Sequence, residues 1–248
     1  MNIEEQGGAP AANAELWQQS AREWVRFVDE GDENRTHLLD GPMLEACGKV
    51  DGLKVLDVGC GEGRFARMLS ERGAEVFGVD FVPEFALEAK RRRSGKAFAK
   101  GRGEAIPFRS DAFDLVVSYV VLCHVPDYPS MLRELCRVCK PAGRVVLSNM
   151  SSIATAVAGY RSNPQGDRQF YLHPYFRERG GWIDAHGVRV LQFHRPLDRL
   201  FRVFLDSGME LLDYREPSPS VQQIAQRPNL IDATRIPYFF IMEWWKPD

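Results

Sequence analysis

Apolar and polar residues follow one another along this chain in a repeating order of helix-like and strand-like segments. Apolar positions at helical spacing predict an amphipathic helix over residues 14–29 and a second helix over 36–48. The middle of the chain then predicts, in order, strand 53–58, helix 63–71, strand 75–80, helix 83–93, strand 97–100, strand 114–119, helix 128–138 and strand 143–149. Strands separated by helices indicate right-handed crossovers and a parallel sheet with helices on both faces.

The pattern changes in the last third of the chain. Residues 151–190 contain Gly, Asn-Pro, His-Pro and Gly-Gly sequences and are predicted to form an inserted lid. A helix over 196–207 and a strand over 209–215 follow, and an aromatic strand over 238–245 is expected to pair antiparallel at or near the edge. We therefore predict an α/β fold with seven strands, mostly parallel, in a single domain of 248 residues. Its parts are N-terminal helices (1–50), a core (51–150), a lid or substrate insertion (151–195) and the remaining sheet (196–248).

The first predicted strand ends in a glycine-rich turn that indicates a nucleoside site. Gly59, Gly61 and Gly63 follow the strand directly, and glycines there let the backbone turn tightly and approach a ligand. Asp80 closes the next strand, 19 residues after Gly61, where a carboxylate can reach the hydroxyls of a ribose. Asp57 precedes the turn and would repel a pyrophosphate, but it suits a ligand that carries an ammonium and a sulfonium. The spacing also departs from the dinucleotide fingerprint, and the chain lacks the P-loop pattern.

Several ordered motifs over residues 52–150 carry a resemblance to a known family. They are Leu56 to Gly63, Val79-Asp80, Gly103 to Phe108, Phe113 to Ser118 with the residues through His124, Leu132 to Leu135, and Lys140 to Val145. In this order the motifs resemble those of class I S-adenosylmethionine-dependent methyltransferases, a Rossmann-like family. The branch that looks most similar acts on small molecules and includes quinone-biosynthesis and natural-product methyltransferases.

The resemblance implies S-adenosylmethionine as cofactor, S-adenosylhomocysteine as product, and a set of cofactor-binding positions. Those positions are Asp57, Gly59, Cys60, Gly61, Gly63, Asp80, Phe81, Gly103, Glu104, Ala105, Ser118 and Tyr119. One position departs from the family pattern, because Arg102 stands where an Asp usually contacts the adenine amino group. Adenine recognition would then depend on backbone groups and on apolar contact from Phe81, Ile106 and Phe108.

Three histidines are candidate catalytic residues, and several aromatic residues are candidates for contact with the acceptor. His124 occupies a position where the family often carries a histidine near the transferred methyl group, although bonding to the loop backbone would also explain it. His173 and His194 lie in the predicted lid or at its end, as do Tyr171 and Tyr175. Trp17 and Trp24 could close the pocket from the N-terminal helix or simply pack on the core. Further aromatic residues in the lid favour an apolar or aromatic acceptor, whereas its arginines allow a carboxylate or phosphate on that acceptor.

Charge and composition exclude several other classes of protein. The net charge is −2, so no general basic field favours nucleic acid, and no apolar run approaches the length of a membrane span. The polar N-terminal residues are unlike a signal peptide, which favours a cytoplasmic location. Five cysteines, an odd number, argue against a disulfide framework, and the single pair Cys136 and Cys139 is insufficient for structural zinc, so we expect buried thiols and no metal. Lys90 to Arg93 is expected to be a solvated helix end.

These observations predict an enzyme that transfers a methyl group to an oxygen or nitrogen of a small organic acceptor. Two alternatives remain open at this point. One is a tRNA-modifying methyltransferase, which the acidic balance disfavours. The other is a non-catalytic partner protein that binds S-adenosylmethionine. The sequence is compatible with a monomer or a homodimer.

Overall fold

The computed structural model describes residues 9–164, 167–185 and 187–248. Residues 1–8, which hold most of the polar N-terminal segment, lie outside the described residues. The helices are α1 Ala9–Gln19, α2 Ala21–Glu30, α3 Asp40–Cys47, α4 Arg64–Ser70, α5 Pro83–Arg91, α6 Tyr128–Val138, α7 Ser152–Ala156, α8 Leu197–Asp206 and α9 Val221–Gln226. The strands are β1 Lys54–Val58, β2 Glu75–Asp80, β3 Ala97–Lys100, β4 Phe113–Tyr119, β5 Cys139–Met150, β6 Val157–Ser162, β7 Arg168–Leu172, β8 Arg179–Ala185, β9 Val188–His194, β10 Glu210–Arg215 and β11 Phe239–Trp245.

A seven-stranded sheet forms the centre of the molecule, with strand order β10-β11-β5-β4-β1-β2-β3. Strand β11 pairs antiparallel with both of its neighbours, and the other pairs in the sheet are parallel. This arrangement confirms the predicted fold, including an antiparallel last strand one position from the edge. Because β1, β2 and β4 are adjacent and parallel, their carboxyl ends meet at one edge of the sheet, where α/β proteins bind ligands.

Alternate residues of the central strands face two apolar layers, as expected for buried parallel strands. Leu56 and Val116 face α6 and α8, where Met131 and Phe204 are fully buried. On the opposite face, Val55 and its neighbours pack against α3 and α4. The sheet is therefore covered on both sides, which holds the carboxyl edge of its strands in a fixed position.

The N-terminal segment differs from the two helices that were predicted. The predicted helix over 14–29 is two helices, α1 and α2, which are separated at Ser20. The second predicted helix begins with a π-helical turn, Arg35–Leu39, and continues as α3. Helix α9 and a 3-10 turn, Pro228–Thr234, were not predicted. All described helices are too short or too polar to cross a bilayer.

The segment between β5 and α8, which was predicted as an inserted lid, contains a short helix and two antiparallel hairpins, β6–β7 and β8–β9. The second hairpin packs against the N-terminal helices, because Val188 and Val190 share a small apolar cluster with Trp17, Ala21 and Phe85. The insertion therefore supports α1 from the outside.

All five cysteines are free and buried, which confirms the expectation of buried thiols. Helix α6 ends at Val138, as predicted, and Cys139 is the first residue of β5, which begins earlier than the predicted strand 143–149. Among the described residues, no group of His, Cys, Asp and Glu side chains is arranged to hold a metal ion.

Candidate active site

The glycine turn after β1 has backbone angles that side chains rarely adopt. Gly59, Gly61 and Gly63 have φ values of 74°, 53° and 85°. A Cβ on Gly59 would lie 2.4 Å from a methyl group of Val121, and a Cβ on Gly63 would lie 2.5 Å from the side chain of Ser94. Glycine is therefore required at both positions, at Gly59 for the close approach of the loop after β4 and at Gly63 for packing beside α5.

Asp80 is buried at the end of β2 and is held by backbone amides. Its Oδ2 accepts a hydrogen bond from the Gly61 amide at 2.9 Å, and its Oδ1 accepts one from the Val82 amide at 2.9 Å. Burial raises the pKa of Asp80 to about 6, and the two amides oppose that rise because they stabilise the carboxylate. Each oxygen keeps a second lone pair, so the carboxylate can accept two further hydroxyl donors.

Asp57 is equally buried, but neither of its carboxylate oxygens has a hydrogen-bonding partner among the residues described. Burial raises its pKa to about 8, the charges of Asp80 and Glu62 add to that rise, and the nearby Ala66 amide opposes it only weakly. A buried, unpaired carboxylate is costly unless a cation joins it. The arrangement therefore fits a ligand with an ammonium group and does not fit a phosphate.

These groups open onto one cavity of about 1110 Å³, counting the part of its mouth that is open to solvent. Twelve of the residues predicted from the sequence line this cavity, namely Trp17, Trp24, Asp57, Gly59, Cys60, Gly61, Asp80, Phe81, Gly103, Glu104, Tyr119 and His124. Three predicted cofactor positions do not line it. Gly63 packs beneath the turn, the Ser118 hydroxyl donates to the Val58 carbonyl at 3.1 Å, and Ala105 pairs with Arg102 in an isolated bridge. These three support the cavity wall from behind.

The side of the cavity beyond Asp80 is formed by Phe81, Phe85 and the segment 101–104. Arg102 lies at this end, and its guanidinium is 3.4 Å from the Glu104 carboxylate. Ile106 and Phe108, which were expected to contact adenine, are not among the lining residues, because both pack in the core beneath α6. Their predicted adenine contact is therefore corrected.

The opposite side of the cavity is covered by the N-terminal helices. Trp17 and Trp24 form an edge-to-face pair with ring centroids 5.3 Å apart, and both line the cavity. Arg35 from the π turn also lines it; its guanidinium lies 4.9 Å from the Trp24 ring centroid and is paired with Asp32 at 2.5 Å. This cover therefore offers aromatic surface and one cation that an acidic neighbour partly neutralises.

His124 follows β4 in a 3-10 turn and reaches the cavity beneath Trp17, with the two rings 5.2 Å apart. Its Nδ1 donates to the carbonyl of Leu191 at 2.8 Å, which leaves Nε2 as the acceptor nitrogen, and Nε2 has no hydrogen-bonding partner among the described residues. Burial lowers the pKa of His124 to about 4, and the positive charges of Arg35 and Arg195 add to that effect. The imidazole is thus neutral at neutral pH, with a lone pair available at Nε2.

The other predicted catalytic and substrate residues lie outside the cavity. His194 is buried, with Nε2 donating to the Tyr175 carbonyl at 2.6 Å and Nδ1 3.0 Å from the Thr155 hydroxyl. Tyr175 accepts from the Leu197 amide at 3.1 Å through its own hydroxyl. His173 and Tyr171 are exposed on and beside the β6–β7 hairpin. None of these four residues is among those that line the cavity, so the structure does not bring them together with His124, and their contact with the acceptor stays a prediction.

Several residues that line the cavity were not among the candidates from the sequence, and two of them, Asn13 and Arg35, are polar residues of its cover. Asn13, on α1, donates to the His124 carbonyl at 3.3 Å and accepts from the Leu191 amide at 2.8 Å. Arg35 joins the cavity through the π turn. Neither belongs to a motif, and the partners of Asn13 lie more than 100 residues away in sequence, so no local pattern could have identified it.

Comparisons with known proteins agree with this geometry. A family model described as a methyltransferase domain matches residues 56–147. The ubiquinone biosynthesis O-methyltransferase of Leptothrix cholodnii is 30% identical over 189 residues, which cover 68% of this chain and 79% of that protein. The demethylmenaquinone methyltransferase of Beutenbergia cavernae is 35% identical over 109 residues, but these cover only 44% of this chain and 45% of that protein.

The fold is similar to that of solved enzymes over nearly its whole length. The crystal structure of an S-adenosylmethionine-dependent methyltransferase from Mesorhizobium loti superposes with a TM-score of 0.75 and 25% identity, covering 88% of this chain and 99% of that one. The glycine turn, the two buried carboxylates and these similarities agree on one ligand, S-adenosylmethionine. The chain belongs to the class I S-adenosylmethionine-dependent methyltransferases.

Proposed function

We propose that this enzyme methylates an oxygen or nitrogen of a small organic acceptor that enters the cavity beneath the N-terminal helices. The observation that carries the proposal is the unpaired, buried carboxylate of Asp57 beside the glycine turn. S-adenosylmethionine carries an ammonium and a carboxylate at one end, and the cavity offers an anion, Asp57, and a cation, Arg35, for them. Asp80 would then accept from the ribose hydroxyls, and Phe81 and the 101–104 segment would hold the adenine.

The cofactor supplies an electrophilic methyl group, so the protein's part is to orient the acceptor, exclude water and receive a proton. Trp17 and Trp24 offer flat apolar surfaces on the side of the cavity that the cofactor motifs do not use. His124 is the candidate base, because its Nδ1–H is held by the Leu191 carbonyl and its Nε2 is left as acceptor. A positioned base of this kind contributes about 10²–10⁴-fold to the rate.

The low pKa of His124 has a consequence for this role. A pKa of about 4 keeps the imidazole unprotonated under all ordinary assay conditions, so activity should show no acid limb from His124 above about pH 5. It also makes His124 a weak base. We therefore infer that it accepts the proton as the methyl group is transferred, rather than ionising the acceptor beforehand.

A small acceptor is favoured over tRNA by the charges at the cavity. The three arginines that line the cavity are each paired with a carboxylate, Arg35 with Asp32, Arg64 with Asp40 and Arg102 with Glu104, which leaves little excess positive charge for a phosphate backbone. The two quinone-biosynthesis relatives also support a small acceptor. A phosphate backbone would require unpaired basic residues around the entrance.

The test combines binding and turnover. Calorimetry should show S-adenosylmethionine binding to the wild type, and Asp80→Ala should weaken it by about tenfold or more because two hydroxyl donors lose a charged partner. Asp111→Ala is the matched control, since Asp111 is an exposed carboxylate outside the cavity.

A screen of phenols, enols and amines by release of S-adenosylhomocysteine would then find the acceptor, and His124→Gln should lower turnover more than cofactor affinity. Failure of the wild type to bind the cofactor, or equal turnover in His124→Gln, would contradict the proposal.

A further inference from the structure

The loop that carries His124 is held in an unusual backbone conformation. Val120, its first residue, has a φ of 57°, which is rare for a β-branched side chain and costs energy. Such a conformation persists only when the surroundings determine it. Contacts from the surrounding structure must therefore impose this conformation on Val120.

Side chains from three distant elements hold the loop through its backbone. The Asn149 side chain, on β5, accepts from the Cys123 amide at 2.9 Å, and the Asn13 side chain, on α1, donates to the His124 carbonyl at 3.3 Å. Arg195, just after β9, donates to the Leu122 carbonyl at 2.8 Å, to the Pro126 carbonyl at 3.2 Å, and to the carbonyl of Val125. A single guanidinium thus satisfies three carbonyls on both sides of His124.

Arg195 is an unusual arginine because its charge is buried and no carboxylate among the described residues forms an ion pair with it, although the charges of Glu178 and Asp127 act on it from further away. Only 6% of the residue is exposed, and its guanidinium lies 4.4 Å from the Tyr128 ring centroid and 4.7 Å from that of Phe193. Burial lowers its pKa to about 10, so it remains protonated at neutral pH. A buried cation is costly, and apolar packing alone would be served as well by an uncharged side chain.

We propose that Arg195 is a positioning residue that fixes the His124 loop, together with Asn13, so that the imidazole presents Nε2 to the acceptor. Arg195 does not line the cavity, and it acts through the loop carbonyls. Asn13 completes the arrangement, because it binds both the His124 carbonyl and the amide of Leu191, the residue whose carbonyl accepts from His124 Nδ1. The catalytic consequence rests on the proposed function, but the positioning itself does not.

The positioning has an electrostatic side as well. The charged groups around the imidazole are Arg195 after β9 and Arg35 in the π turn, while α1 places the neutral Asn13 and Trp17 against it. Both arginines oppose protonation of His124. Removal of the Arg195 charge should therefore raise the pKa of His124, an effect that a purely structural role would not produce.

The test is a pH titration of the ¹⁵N-histidine-labelled protein by NMR, with His124→Gln used to assign the signals. The wild type should show His124 as a single Nδ1–H tautomer that stays unprotonated down to about pH 5. In Arg195→Met the tautomers should mix, and the titration midpoint should move toward the ordinary histidine value of about 6.5. Arg195→Lys keeps the charge but cannot span three carbonyls, so its midpoint should stay lower than in Arg195→Met while the tautomers still mix. Arg199→Met is the control, since Arg199 lies nearby on α8 and is exposed.

The outcomes are distinguishable. An unchanged His124 titration and tautomer in both Arg195 variants would overturn the proposal, as would a lower melting temperature with an unchanged His124 spectrum. Should Arg195→Met fail to fold, Arg195→Lys and Asn13→Ala decide by the same signals.

Once an acceptor is known, Arg195→Lys should lower kcat by about tenfold or more while the affinity for S-adenosylmethionine changes less than about twofold, since small misplacements of catalytic groups cost up to about 10²-fold. If no variant and no wild type binds the cofactor, the proposed function fails while the NMR result still decides the positioning.

Discussion

The two walls of the active-site cavity are built in different ways. The floor consists of the glycine turn after β1 and the carboxylates of Asp57 and Asp80, all within about one βαβ unit of the chain. The cover consists of α1, α2 and the π turn, whose residues contact partners more than 100 positions away, as Asn13 does with His124 and Leu191. The floor is charged and the cover is largely aromatic. The floor is thus part of the sheet itself, whereas the cover is a separate element packed onto it.

The most severe disruption of the floor should come from Gly59→Ala. Alanine would have to adopt the positive φ of Gly59, and its methyl group would lie 2.4 Å from a methyl group of Val121. Together these two effects should cost about 3 kcal/mol. The affinity for S-adenosylmethionine should fall on the order of 10²-fold in calorimetry. Gly181→Ala is the matched control, because a Cβ there meets nothing within 4 Å. Equal cofactor affinities in the two variants would show that the turn geometry is unimportant.

Asp57→Asn should weaken the cofactor on the order of tenfold, near the lower end of what a hydrogen bond to a charged group contributes. The effect is limited because the carboxyl, with a pKa of about 8, must first ionise to meet the ammonium. That ionisation also predicts a proton release on binding below pH 8, measurable by calorimetry in buffers of different ionisation enthalpy. Asp57→Asn should abolish the release. If the release persists in the variant, another group is responsible.

The same carboxylate should make the ligand-free protein less stable as the pH rises. The folded-state pKa of about 8 lies above the ordinary value of 3.8, so the folded protein binds more protons between about pH 4 and pH 8, and stability decreases through that window. Asp80, whose pKa is raised to about 6, should act in the same direction up to that pH. His124, whose pKa is lowered to about 4, opposes this trend below about pH 6.5, so the window to measure lies above that pH. Thermal melts from pH 6.5 to pH 8 should show a decreasing melting temperature, and Asp57→Asn should flatten the decrease. A wild-type stability that increases with pH would contradict the assignment.

The smallest effects are expected in the insertion. Tyr171→Phe and His173→Ala alter exposed side chains outside the cavity, so cofactor affinity and turnover should each change by less than about twofold. Trp17→Leu, a substitution in the helices that cover the cavity, is the comparison for these two variants and should lower the affinity for the acceptor. A loss of turnover in either insertion variant, measured by S-adenosylhomocysteine release, would mean that the insertion approaches the acceptor during the reaction.

The same contrast explains what could be predicted from the sequence. The glycine turn, Asp80 and the succession of strands and helices along the core follow from local patterns, because a strand, a turn and a helix succeed one another within a few residues. The break at Ser20 and the two hairpins of the insertion were not predicted, since they depend on packing between distant segments. Asn13 and Arg195 carry no signal for the same reason. An asparagine in a helix and an arginine before a proline become meaningful only when the chain is folded.

The hydrogen bond between Asn13 and Leu191 joins residues that are 178 positions apart, so it can form only after Leu191 has been synthesised. At about 5–20 residues per second, the ribosome needs roughly 10–35 s after making α1 before the partner residue exists. This contact between α1 and β9 is therefore not available to hold α1 over the cavity until about three quarters of the chain has been made.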